Sequence, residues 1–219
     1  MESSTKRRLL LTARIALALC VLTPTLIHAA DDDHGQRHER EFRVRSATFK
    51  NDSVLPISTI HNIIQNGSNA CSVDGSPGGN ESPELSWTHA PSRTRSFVVI
   101  AYDVTAAFTH WGIYNISPAA TGLPANAGIA GSTYGEQISN DFGDLSYDGP
   151  CPPKTLMPFV HQYVFTVYAL DIELQLFSAS ADFPAGAETL YHALIEAGRH
   201  GHVLETAQIT GLYSAVPGQ

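Results

Sequence analysis

Ser96-Phe97-Val98-Val99-Ile100-Ala101-Tyr102 is a short, continuous apolar run that stops at Asp103. A run of this length without polar alternation reads as a buried central strand. Moving outward, Trp111–Ile116, Tyr163–Leu170 and Gln208–Tyr213 read as further strands. Two weaker strand signals precede them. Glu41–Phe49 carries Phe42 and Val44, then Ala47 and Phe49 after a slip, and Leu55–Ile60 follows. The connections are rich in Gly, Pro, Asn and Ser, as in Gln65–Glu81, with Pro77-Gly78-Gly79, and in Ser117–Ser132. One stretch is helical. Ala187–Ala197 sets Leu190, Leu194 and Ile195 on one side with Tyr191 adjacent, and Gly198 is placed to stop it. A short turn is expected at His202–Glu205. Many strands and one helix predict a mainly β fold, a β-sandwich with a small helical cap, over residues 42–219.

The N-terminus is read separately. Lys6-Arg7-Arg8 precedes an apolar run from Leu9 to Ile27, interrupted by Arg14 and Pro24 and followed by Ala29-Ala30. Residues 1–29 read as a signal peptide, which predicts a periplasmic or secreted protein with no membrane span after cleavage. Cys20 lies in a poor lipoprotein box. Residues 30–41 are charged and without apolar periodicity, so a flexible tail is expected there. Its His34 and His38 have metal-site spacing, but no apolar stripe supports a helix to carry it, and a solvated tail is expected instead.

Removing four basic residues and one acidic residue with the leader takes the net charge from -8 to -11. Such an acidic protein is a poor partner for nucleic acid or an anionic membrane surface. An anion would have to be held locally, against the field of the whole. The leader also carries away Cys20, leaving Cys71 and Cys151. An even count in an exported chain reads as a disulfide; two buried thiols are the alternative.

Tyr147-Asp148-Gly149-Pro150-Cys151-Pro152-Pro153 cannot be regular structure. Its prolines remove backbone donors, fix φ and push the preceding residues to extended geometry. X-Pro bonds are also the common source of cis peptides. This stiff loop leads toward His161-Gln162-Tyr163. Asp103, His110-Trp111 and His161 with Tyr163 all flank expected strands. They bring a carboxylate, two imidazoles and a phenol within reach of one sheet edge. Asp141-Phe142-Gly143 matches the kinase metal triplet by chance, since no companion motif accompanies it. There is no phosphate-binding loop, nucleophile elbow or His-Glu-x-x-His, so no metal, cofactor or catalytic residue is expected.

These segments, taken together, carry a resemblance. The matching residues are Asn80-Glu81-Ser82-Pro83-Glu84-Leu85-Ser86-Trp87, Ser96–Val99 leading to Asp103, and His110-Trp111 with Tyr114-Asn115-Ile116. Next come Asn140–Gly143, Tyr147–Pro153, His161–Phe165 with Ala169–Asp171, and Gly201–Leu204. In order and spacing the chain resembles the phosphatidylethanolamine-binding proteins, also called Raf-kinase-inhibitor-like proteins, in their bacterial exported, YbhB/YbcL-like branch. The resemblance covers about Phe42 to Tyr213. It implies an antiparallel β-sandwich with a small anion pocket formed by Asp103, His110, Gly149, Pro150, His161 and Tyr163, with Trp111 nearby. It also implies a cis peptide in the proline-rich loop, and a cysteine pair that matches Cys71 and Cys151.

The chain departs from the family at Asp103-Val104-Thr105-Ala106-Ala107, where members usually read Asp-Pro-Asp-Ala-Pro, and at Gln162, which stands for an Arg. The resemblance implies an exported binding protein without enzymatic activity, taking a phosphate or a phospholipid head group. In this reading both imidazoles donate N–H and backbone amides near Gly149 assist. An alternative is an inhibitor or modulator of a protease, a kinase or a host signalling protein. A phosphoester hydrolase ranks last, because no nucleophile is evident. A homodimer is left open.

Overall fold

The computed structural model of the protein describes residues 41–177 and 184–219. The expected leader with Cys20, the tail up to residue 40 and the His34/His38 pair lie outside the described residues. In chain order the strands are β1 (Arg43–Arg45), β2 (Ser53–Val54), β3 (Ile64–Gln65), β4 (Ser68–Asn69), β5 (Leu85–Thr88) and β6 (Ser96–Asp103). They continue as β7 (Phe108–Ile116), β8 (Gly122–Leu123), β9 (Glu136–Gln137), β10 (His161–Leu170) and β11 (Val203–Tyr213), with the helix α1 (Ala187–Arg199) before β11.

Six strands form one sheet in the order β2-β11-β10-β6-β7-β9. All its pairings are antiparallel except that of β2 with β11. A second, antiparallel sheet has the order β1-β5-β8. The two sheets bury a common core. Val44, Leu85, Trp87 and Leu123 from the smaller meet Phe97, Val99, Ala101, Phe165, Val167 and Ile209 from the larger. This is the expected sandwich, with one parallel strand at its edge.

The position of β6 explains its composition. Phe97, Val99 and Ala101 face the smaller sheet, while Val98 and Ile100 join a second cluster with Leu190 and Leu194 of α1. A strand covered on both faces needs no polar alternation. The helical cap buries Ala187, Leu190, Leu194 and Ala197, but Ile195 is half exposed. The helix runs through Gly198 and ends where Gly201 adopts a φ of +74°. Gly201, not Gly198, is the residue whose missing Cβ permits the left-handed exit.

Other elements differ from expectation. Leu55–Ile60 forms a 3-10 turn at Ile57–Thr59 instead of a strand, because Pro56 starts the turn and removes a ladder donor. His202–Glu205 is not helical; β11 begins at Val203 and pairs with Leu170. Within the long Gln65–Glu81 connection, β3 and β4 form a hairpin. Its tip is Asn66-Gly67, both at positive φ (51° and 81°), the turn that suits the twist of two paired strands. Cys71 and Cys151 form a disulfide, with Cα atoms 4.4 Å apart. The cis peptide among the described residues is at Met157–Pro158, beyond the Pro150–Pro153 segment where the resemblance implied one.

Candidate functional site

Strand register builds most of the site. Asp103, at the end of β6, pairs with Tyr163 of β10 on one side and Phe108 of β7 on the other. His161 stands two residues before Tyr163, so both point to the same face. The His161 and Tyr163 rings are stacked with centroids 6.4 Å apart. His110 arrives by a different route. Ala101 pairs with Trp111 and Tyr102 with Thr109, which makes His110 the extra residue of a β-bulge. A bulge re-aims a side chain that alternation would turn away. Trp111 enters the inter-sheet core, and the adjacent His110 also faces that side, its ring 5.2 Å from that of Tyr163.

Asp103, His110, His161 and Tyr163 line one cavity of about 210 Å³ with Ala106, Phe108, Phe142, Cys151, Pro152 and Pro153. All four polar residues are buried. His161 Nδ1 lies 2.6 Å from Asp103 Oδ2. His110 Nδ1 lies 2.7 Å from the main-chain carbonyl of Asp148. Carboxylate and carbonyl oxygens only accept, so both rings donate through Nδ1. Among the described residues neither Nε2 has a hydrogen-bond partner within the chain, and neither is sealed from solvent. The Tyr163 hydroxyl is different: it is sealed from solvent and has no hydrogen-bond partner among the described residues. Burial, and then the Asp103 carboxylate, push the Tyr163 phenol well above its ordinary value. It therefore remains an O–H donor at any physiological pH. Burial pulls His110 below its ordinary value of 6.5, opposed by its bond to the Asp148 carbonyl and by the Asp103 and Asp148 carboxylates.

The turn after β6 compensates for its missing prolines. Asp103 Oδ1 accepts from the N–H groups of Thr105 and Ala106 at 2.8 and 3.1 Å. Thr105 Oγ1 accepts the Gln162 N–H at 3.0 Å, and the Val104 N–H donates to the Gln162 carbonyl at 3.0 Å. These hydrogen bonds fix the turn without a proline. Both Asp103 oxygens are consequently engaged, one by the turn and one by His161.

Three predicted residues stand behind the cavity and do not line it. Trp111 is fully buried and donates Nε1–H to Gln137 Oε1 at 2.7 Å. The Pro150 carbonyl accepts the His61 N–H at 3.2 Å. The Gly149 N–H, expected to assist an anion, donates to Asn80 Oδ1 at 2.7 Å. Glycine is required there for a different reason: a Cβ would lie 1.9 Å from the Thr59 carbonyl oxygen.

The sequence reading missed Phe108 and Phe142, whose rings meet edge-on at 4.7 Å over His110, and the pair Asn80 and Asp148 behind it. Asn140 explains the Asp141-Phe142-Gly143 triplet without a metal. Its Oδ1 accepts from the N–H groups of Phe142, Gly143 and Asp144, an Asx turn that presents Phe142 to the cavity.

Residues 45–214 match the family model of phosphatidylethanolamine-binding protein. A UPF0098 protein of Methanothermobacter thermautotrophicus is 40% identical over 141 residues, 62% of this chain and 84% of that protein. The Escherichia coli UPF0098 protein YbhB is 37% identical over 147 residues, 64% of this chain and 85% of that protein. The crystal structure of E. coli YbcL, presented as a new member of the mammalian PEBP family, is similar with a TM-score of 0.61 at 31% identity. That match covers 80% of this chain and 98% of that one.

Proposed function

This chain belongs to the phosphatidylethanolamine-binding protein family, and on that premise we propose that it binds a phosphate group, free or on a phospholipid head group, between His110 and His161. One observation carries the reading. Two buried imidazoles that line one cavity have Nδ1 engaged as a donor, while among the described residues neither Nε2 has a partner and neither is sealed from solvent. A phosphate oxygen between them would receive, once the rings protonate, both Nε2–H groups. Among the described residues, no Lys or Arg lines this cavity. Charge neutralisation therefore falls to the histidines, and binding is coupled to proton uptake.

The chain acts by binding and not by turnover. The one sulfur lining the cavity, that of Cys151, is held in the disulfide. The disulfide and the leader-like residues 1–29 support the reading of an exported protein. No helix among the described residues is long and apolar enough to cross a membrane.

The test is a titration with inorganic phosphate and with glycerophosphoethanolamine, followed by the imidazole NMR signals. We expect saturable shifts at His110 and His161, and loss of binding in His161→Ala. Tighter binding of the second compound would identify a head-group site. Absence of shifts with both would refute the reading, and hydrolysis of a phosphoester panel would refute its non-enzymatic part.

A further inference from the structure

Asp148 is a buried carboxylate outside the cavity, 4% exposed. It is joined to His110 twice through its main chain. Its N–H donates to the His110 carbonyl at 3.1 Å, and its carbonyl accepts from His110 Nδ1 at 2.7 Å. Its side chain is clamped from both sides by amides. Asn80 Nδ2 donates to Oδ1 at 2.9 Å, and Asn140 Nδ2 donates to Oδ2 at 2.7 Å.

Neither amide can be turned around. Asn80 Oδ1 holds the Gly149 N–H, and Asn140 Oδ1 holds three main-chain N–H groups of the following turn. Both clamping residues must therefore present NH2, and only a carboxylate offers an acceptor to each. An asparagine at position 148 would set one NH2 against another. His110 depends on this arrangement more than a regular strand residue would. It sits on a bulge, where the ladder does not fix the ring direction.

We propose that Asp148, clamped between Asn80 and Asn140, is the positioning residue of His110: it holds that ring as its Nδ1–H tautomer with Nε2 turned into the cavity. The consequence for phosphate recognition rests on the function proposed above; the tautomer does not. Asp148 touches no ligand in this scheme and acts only through His110, as residues behind a ligating histidine commonly do.

The experiment is nitrogen-detected NMR of the full chain without ligand, followed by inorganic phosphate titration, for wild type and Asp148→Asn. Wild type is expected to show His110 as a single Nδ1–H tautomer. In Asp148→Asn the tautomer is expected to become mixed and phosphate affinity to fall about tenfold. His161, on its own carboxylate, keeps its signals. If Asp148→Asn does not fold, Asn80→Ala removes one of the two amides and is read in the same way. Leu190→Ala, destabilised on the opposite face of the sheet, is expected to leave the His110 tautomer unchanged, which separates positioning from general loosening. A wild-type His110 protonated on Nε2, or an unchanged tautomer and affinity in both site variants, would overturn the proposal. Loss of the tautomer in a protein whose wild type binds no phosphate would uphold the positioning role and refute the phosphate reading instead.

Discussion

The two histidines that face the cavity are held in contrasting ways. His161 belongs to an arm made of regular structure: β10 pairs with β6 in continuous register, and the carboxylate of Asp103 accepts directly from the ring. His110 belongs to an arm made of exceptions. It occupies a bulge, and a loop carbonyl accepts from its ring, with the nearest carboxylate of that loop turned away into two amides. Both acceptors fix an Nδ1–H tautomer, one through a side chain and the other through the main chain. The His161 arm is thus preorganised by the sheet. Burial holds the His110 ring in its neutral form, so a bound anion would draw a proton there.

The largest effect should come from cutting the covalent tie of the His110 arm. The disulfide joins Cys151, on the cavity wall, to Cys71 across 80 residues of chain. In the chain-entropy model, Cys151→Ser is expected to cost roughly 4–5 kcal/mol, measured by urea unfolding. Phosphate shifts should weaken more at His110 than at His161; equal weakening would erase the contrast.

Next is the His161 arm. Asp103→Ala strips the acceptor from His161 and from the Thr105 and Ala106 N–H groups together. We expect a loss of about 3 kcal/mol and no measurable phosphate binding. A loss under 1 kcal/mol would mean that the turn holds itself.

Acid should separate the arms without mutation. Folding depresses the His110 pKa below 6.5, so the unfolded chain takes up a proton before the folded one does. Between 6.5 and the folded value the unfolded state binds more protons, and the His110 contribution to stability is lost as pH falls through that window. A bound anion reverses the preference. Affinity for sulfate, whose charge is constant in this range, is expected to rise by up to about tenfold per unit as pH is lowered through the same window. Calorimetry showing a pH-independent affinity would contradict proton uptake at His110.

The smallest effect lies between the two histidines. The Tyr163 hydroxyl makes no hydrogen bond among the described residues, so Tyr163→Phe should leave stability unchanged or raise it slightly. Phosphate affinity should likewise change by less than about twofold, because the hydroxyl is sealed from solvent and offers a ligand no donor. Thermal unfolding and titration of the same sample give both numbers. A clear loss of stability would show that the hydroxyl has a structural partner.

Much of this was legible before the fold was known. The apolar run at Ser96–Tyr102 marked a strand covered on both faces, because such a strand needs no polar alternation. Asp103, His161 and Tyr163 were legible for a related reason: once their strands pair, period-2 alternation alone brings them to one face. Cys71 and Cys151 were legible as a pair from their even number, once residues 1–29 are read as a leader. The short strands β8 and β9 were not legible, since two residues carry no periodicity.

What only the tertiary structure decided lies at His110 and Gly149. Alternation would turn adjacent residues His110 and Trp111 to opposite faces; the bulge sends both inward, and a bulge is a property of two paired strands. Gly149 looked like a ligand-facing amide in a glycine-proline loop. Its N–H is engaged by Asn80, and its missing Cβ makes room for the Thr59 carbonyl. Local sequence determines which groups a segment offers, and it did so here for the strands and for the histidines. Which of those groups stay free for a ligand depends on donors and acceptors arriving from distant segments, and the chain has no local record of those.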